Sequence, residues 1–143
     1  MNKRVWIKIK GLHNTSEPEE DVVEVIYPGN YYKRDGKHFI KYEEPVEGSE
    51  EVNNNLLKIS SDEVEIINRG QSAYQMTFTN GRKNMTYYST PFGGINMGVD
   101  TYSLDITETE DRINVDIRYG LEINLDYISK CRVSIEIESV EDK

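Results

Sequence analysis

Met76-Thr-Phe-Thr-Asn-Gly-Arg-Lys-Asn-Met-Thr-Tyr-Tyr-Ser-Thr90, followed by Pro91-Phe-Gly-Gly-Ile95, decides how the chain is read. Asn80-Gly81 stands between two runs of strand-forming residues. This dipeptide favours a two-residue type I′ hairpin, because both central residues need positive φ. Pro91 has no amide to offer a ladder and stops the second run. Gly93-Gly94 then allows another reversal. Three successive strands are therefore joined by turns too short for anything but antiparallel neighbours.

Upstream, Arg4-Val-Trp-Ile-Lys-Ile-Lys10 puts Val5, Ile7 and Ile9 on one face and Trp6, Lys8 and Lys10 on the other, the mark of a half-buried strand. His13 to Asp21 is a polar loop, too short to hold a two-helix lid. A second strand starts near Val22 with Val23, Val25 and Tyr27 on one face, is expected to bend at Pro28-Gly29, and resumes at Tyr31-Tyr32-Lys33. Asp35-Gly36 is another type I′ signal, leading into His38-Phe-Ile-Lys-Tyr-Glu-Glu44, which Pro45 ends. Residues 46–54 read as a mobile acidic loop. Leu56-Leu-Lys-Ile59 and Val64-Glu-Ile-Ile67 are short strands around Ser60-Ser-Asp62, and Arg69-Gly70 closes the second.

Downstream, Ile95, Met97 and Val99 share one parity while Tyr102, Leu104 and Ile106 share the other. One extra residue near Asp100-Thr101 restores a common face, which defines a β-bulge. Bulges bend strands, and long bent strands belong to barrels. Ile113 to Ile123 and Lys130 to Glu138 then alternate strictly, the first on odd-numbered Ile, Val, Tyr and Leu, the second on Cys131, Val133, Ile135 and Ile137. About ten strands with short connections make an up-and-down meander. Closing such a sheet removes its two exposed edges. The expected fold is all-β: a single closed antiparallel up-and-down β-barrel of about 8–10 strands, one domain spanning residues 1–143.

Composition bounds the function. A chain of 143 residues can bury roughly 68–70% of its unfolded surface without disulfides or metals. Cys131 is the single cysteine, so no internal disulfide forms and a reducing compartment fits. Asn14-Thr-Ser16 and Asn84-Met-Thr86 match the glycosylation pattern, but no apolar segment resembles a secretory signal or a membrane span, so the expected location is cytoplasmic. The formal charge is −9, from 17 Lys plus Arg and 26 Asp plus Glu. That balance argues against nucleic acid and anionic membrane surfaces as partners. The oligomeric state is left open, a homodimer included.

Several motifs occur in an order that points to a family. Tyr42-Glu-Glu44 is followed by Arg69-Gly70, Met76-Thr-Phe78, Tyr88-Ser-Thr-Pro-Phe-Gly93, Val99-Asp-Thr101 and Ile117-Arg-Tyr-Gly-Leu121. In this order they resemble the YwiB-like family of uncharacterised bacterial proteins, over roughly Trp6 to Ile137. The resemblance implies a calycin-like barrel, the shape shared with lipocalins and fatty-acid-binding proteins, and carries over no functional residue. The chain departs from the ligand carriers in having Arg4-Val5 before Trp6 in place of Gly-x-Trp, and no room for a helical lid.

Chemistry-bearing residues are sparse. Cys131, in phase with Val133, is read as a buried small hydrophobe. His13, His38 and Cys131 make no metal-ligand spacing. Adjacent Glu43 and Glu44 point to opposite faces and cannot form a dyad. If one turns inward, Arg69 is the expected partner, with Tyr42 or Tyr88 as donors. Gly93-Gly94 with Gly98 lacks the spacing of a dinucleotide fingerprint. Tyrosine is abundant at 10 residues, and its amphipathic ring suits either a ligand-holding interior or an outer sheet face.

The expectation is a non-enzymatic barrel, without catalytic residues, metal or cofactor, that binds a small apolar or amphipathic ligand inside. Its expected lining is Tyr42, Arg69, Met76, Tyr88 and Tyr119, with Arg69 as polar anchor. The alternative is a packed barrel that binds another protein through an outer face or the Thr90–Gly94 turn.

Overall fold

The structure is a computed structural model that describes residues 1, 3–13, 22–45, 48–69, 74–90 and 92–140. The loop and glycosylation pattern at 14–21, Gly70 and Pro91 lie outside the described residues. Ten strands form one sheet: β1 (Arg4–His13), β2 (Val22–Arg34), β3 (Lys37–Pro45), β4 (Val52–Ile59), β5 (Glu63–Asn68), β6 (Tyr74–Thr79), β7 (Lys83–Thr90), β8 (Gly93–Glu108), β9 (Arg112–Ile123) and β10 (Asp126–Ser139). The spatial order is β6-β5-β4-β3-β2-β1-β10-β9-β8-β7, a meander whose first and last strands pair with each other.

Alternation builds the core. Ile7 faces Ile137 and Tyr27 across the ladders, and Ile137 faces Ile113. In the other arm, Ile40 faces Leu57, which faces Ile66 and then Met76; His38, Ile59, Val64 and Phe78 make the next row. These inward side chains form one buried cluster drawn from both arms. Phe78, fully buried, meets Tyr119 edge-on at 4.9 Å between ring centres and so ties β6 to β9. Each such side chain contributes roughly 1.5–3 kcal/mol through burial.

The deciding stretch behaves differently from its reading. Thr79–Arg82 is a β-turn closed by Arg82 N donating to Thr79 O at 3.0 Å, but only Gly81 has positive φ, +72°. Those signs fit a type II turn, not type I′. No ladder joins β6 to β7 among the described residues, so this hairpin is the seam of the barrel. The turn instead docks on β8, Gly81 N donating to Thr101 O and Thr101 N to Arg82 O. Side chains bridge the seam: Asn84 Nδ2 donates to Thr77 O at 3.0 Å, and Thr86 Oγ1 donates to Gln75 O.

Type I′ geometry occurs elsewhere. Asp35-Gly36 has both φ positive, as read, and so has Asn124-Leu125 between β9 and β10. The bulge on β8 is confirmed but lies one residue later than the parity argument placed it. Register shifts between Thr101 and Ser103, so Thr101 is buried and Tyr102 is turned outward. Gly120, on the outer face of β9, leaves room for it: a Cβ there would stand 2.4 Å from the Tyr102 hydroxyl. β2 passes through Pro28-Gly29 without a break, and β4 starts at Val52, claiming part of the expected acidic loop.

Candidate functional site

The wall opens at Pro28. Tyr31 N donates to Lys3 O at 2.7 Å, on the β1 side of β2. Amide direction alternates along a strand, so residue 28 faces β3 with its nitrogen. Proline has no proton to give there. The β2–β3 ladder accordingly ends at Gly29↔Tyr42, where the next pair would be Pro28 and Glu43. Beyond that point β2 pairs only with β1, and β3 only with β4. Close approach below the opening is kept by Gly29, whose added Cβ would meet Ile7 Cδ1 at 2.7 Å and Lys41 O at 3.0 Å.

A cleft of about 1050 Å³ follows this slot, lined among others by Tyr27, Tyr42, Asn55, Arg4, Lys41 and Arg69. Inside, Tyr27 and Tyr42 stack at 5.5 Å with planes 21° apart. Asn55 pairs across strands with Tyr42 and Asn68. It is only 5% exposed, and its Oδ1 is buried with no hydrogen-bond partner among the described residues. Such a group carries a desolvation cost of ~1–3 kcal/mol. Glu44, not Glu43, takes the inner face, and it meets the Tyr27 hydroxyl in a long 3.4 Å hydrogen bond instead of Arg69. Outside, Arg4 and Lys41 flank Asn30 in one cross-strand row. Arg69 closes the far side, its amide bonded to Asn54 O.

A second polar group sits apart from the cleft. The Glu108 carboxylate accepts from His38 Nε2 at 3.2 Å, so in the neutral imidazole Nδ1 accepts from the Tyr31 hydroxyl at 2.6 Å. Burial first, and then the Glu108 charge, push the Tyr31 phenol above its ordinary pKa. On the outer face, Arg132 makes two hydrogen bonds to Asp116, at 3.0 and 2.6 Å. That bonding holds the Asp116 carboxyl below the usual range against a smaller opposing effect of burial. Among the described residues, no three His, Cys, Asp or Glu side chains are grouped to hold a metal ion.

Of the residues singled out from sequence, Tyr42 and Arg69 meet at the cleft. Arg69 is exposed on its rim, not an anchor inside the barrel. Met76 and Tyr119 pack against the core cluster. Tyr88 stands on β7 opposite Ile95, and its side chain lies outside the described part of the structure. Sequence reasoning missed Tyr27, Asn55, Arg4 and Lys41 as cleft residues. Asn55 had a usable signal: it is in phase with Leu57 and Ile59, and an Asn in an apolar phase is turned inward.

Residues 7–135 match the family described as Domain of unknown function (DUF1934). The chain belongs to this family. The DUF1934 fold described above is also that of the crystal structure of the ywiB protein from Bacillus subtilis, at a TM-score of 0.80 and 19% identity, covering 97% of this chain and 93% of that one. The YwiB-like resemblance and the calycin-like barrel read from sequence are thereby borne out. The likeness carries the fold alone, and no function is attached to the DUF1934 description. No curated protein matches the chain. Among the described residues, no helix is long and apolar enough to cross a membrane.

Proposed function

We propose that this DUF1934 protein is a non-enzymatic binding barrel that takes a small amphipathic molecule in the β2–β3 cleft. The observation that carries the reading is Asn55 Oδ1, buried without a partner among the described residues where stacked Tyr27 and Tyr42 line an opening in the wall. Ligand sites are typically apolar and aromatic concavities with a few convergent polar groups, and this cleft has that make-up. Tyr31, His38 and Glu108 resemble a proton relay, yet the raised Tyr31 pKa is the opposite of what an activated nucleophile needs. The reading places the protein in the cytoplasm, without nucleic-acid or membrane partners. Ion pairs such as Lys8–Glu24 occupy the outer face, where a membrane barrel carries an apolar band.

Native mass spectrometry of freshly purified protein tests this reading against its denatured mass. A reproducible adduct that disappears on denaturation, and is lost in Tyr42→Ala with the fold retained, supports it. A bare mass, together with unchanged melting across a small-molecule library, overturns it. One observation favours the interaction-module reading as a second choice: Phe92, in the turn before β8, is 99% exposed, with Tyr87 and Leu125 also largely exposed.

A further inference from the structure

We infer that the ligand is an aromatic carboxylate carrying an N–H or O–H donor, an inference that rests on the cleft reading. Three features of the cleft specify its three parts.

The anion is called for by the rim. The chain carries a formal charge of −9, yet Arg4, Lys41 and Arg69 line this one cleft, with Glu43 in its lining and Glu44 on its inner side. None of the three cations forms an ion pair with a described residue. Lys41 Nζ sits over the Tyr32 ring on the outer face, 5.7 Å from its centre. Elsewhere on the barrel several cations do take carboxylate partners, as in Arg132–Asp116 and Lys58–Glu65. Three cations collected here outside any ion pair with a described residue make the rim a local attractor for an anionic group on an otherwise acidic protein.

The ring is called for by the slot. Tyr27 and Tyr42 present stacked aromatic surface beside Gly29, and a planar body adds to such a stack at favourable offset geometry. The donor is called for by the floor. Asn55 Oδ1 is an acceptor, so a ligand that satisfies it brings a proton; a bare hydrocarbon end leaves the desolvation cost in place. Glu44 adds a second acceptor on the inner side, which repels an anion at that depth and orients the carboxylate outward.

Matched probes separate these parts. Indole-3-acetate has ring, donor and anion; indole-3-acetamide lacks the anion; 1-methylindole-3-acetate lacks the donor. Binding is followed by amide chemical shifts of the isotope-labelled full chain at low salt. The expected result is shifts clustered at Tyr27, Tyr42 and Asn55, with affinity for indole-3-acetate about tenfold or more above either analogue, as for a lost charge-assisted bond. Lys41→Gln and Arg69→Gln should erase the preference for the acetate over the amide, bringing the ratio of the two affinities to about one. Equal binding of acetate and acetamide at the same residues overturns the anion assignment and leaves the cleft reading standing. Equal binding of the 1-methyl analogue overturns the donor assignment. Shifts confined to other parts of the barrel, or no shifts with any probe, overturn the cleft reading and this inference with it.

Discussion

Replacing Asn55 by Leu should make the protein more stable and less able to bind. Asn55 is 5% exposed and its carbonyl oxygen has no partner among the described residues, so the folded state bears a cost of ~1–3 kcal/mol that water repays on unfolding. Leucine removes that cost and adds apolar burial on a face already shared with Leu57 and Ile59. Against this stands the loss of any hydrogen bond made by the amide nitrogen, ~0.5–1.5 kcal/mol. The net expectation is a gain of about 1 kcal/mol. With a urea m-value of about 2 kcal/mol per M, the unfolding midpoint rises by roughly 0.5 M at unchanged slope. Ligand at a hundred times its Kd should stabilise wild type by about 2.7 kcal/mol and leave Asn55→Leu nearly unmoved. Urea titrations of both proteins, with and without ligand, read all four states. A midpoint that falls by about 0.5 M or more at the same slope would refute the reasoning, because it would mean that Asn55 is satisfied and structural.

Other substitutions probe the frame around the cleft. Phe78→Ala removes a fully buried ring that ties β6 to β9 and should cost ~3–5 kcal/mol by urea unfolding; a loss under ~1 kcal/mol would mean the two arms do not pack through it. Asn84→Ala takes away a side-chain bridge across the seam, and hydrogen exchange should quicken at β6 and β7 amides while β1 and β10 stay protected. Asp116 has its pKa lowered by Arg132, so its contribution to stability is present above the ordinary aspartate value of about 3.9 and is lost as pH falls through its lower folded value. Asp116→Asn should therefore flatten the acid limb of the stability profile, from the ordinary aspartate range downward, and an unchanged profile would show that the pair contributes nothing.

Strand alternation was legible because its period is two and needs only local residues, as at Ile113–Ile117 and Ile135–Ile137, all buried where parity put them. The bulge was legible too, through the parity change between Val99 and Leu104. Its position was not, since either Thr101 or Tyr102 satisfies parity; Gly120, across the ladder on β9, makes room for the Tyr102 ring outside. The seam was illegible for a related reason. Asn-Gly specifies a reversal, but whether the arms pair depends on Thr101, which captures the turn from another strand. The Tyr31–His38–Glu108 chain spans 70 residues between its last two members and leaves no local trace.

The barrel is interrupted twice, and the two interruptions differ in how far they are closed. At the β6–β7 seam the missing ladder is replaced by Asn84 and Thr86 donating to β6 carbonyls, with Phe78 and Tyr119 closing the space behind. Edge groups left open there would template pairing with another chain. At the β2–β3 slot only the long Tyr27–Glu44 hydrogen bond and the Tyr27–Tyr42 stack cross the gap among the described residues, and none of these bonds a strand's backbone; the space holds aromatic surface, a buried acceptor without a partner among the described residues and three cations outside any ion pair with a described residue. A structural repair minimises exposed polar groups, as the seam does. Each interruption retains one buried oxygen without a partner among the described residues, Thr101 Oγ1 beside the seam and Asn55 Oδ1 at the slot, but of the two only Asn55 lines the open cleft, where a ligand can meet its cost.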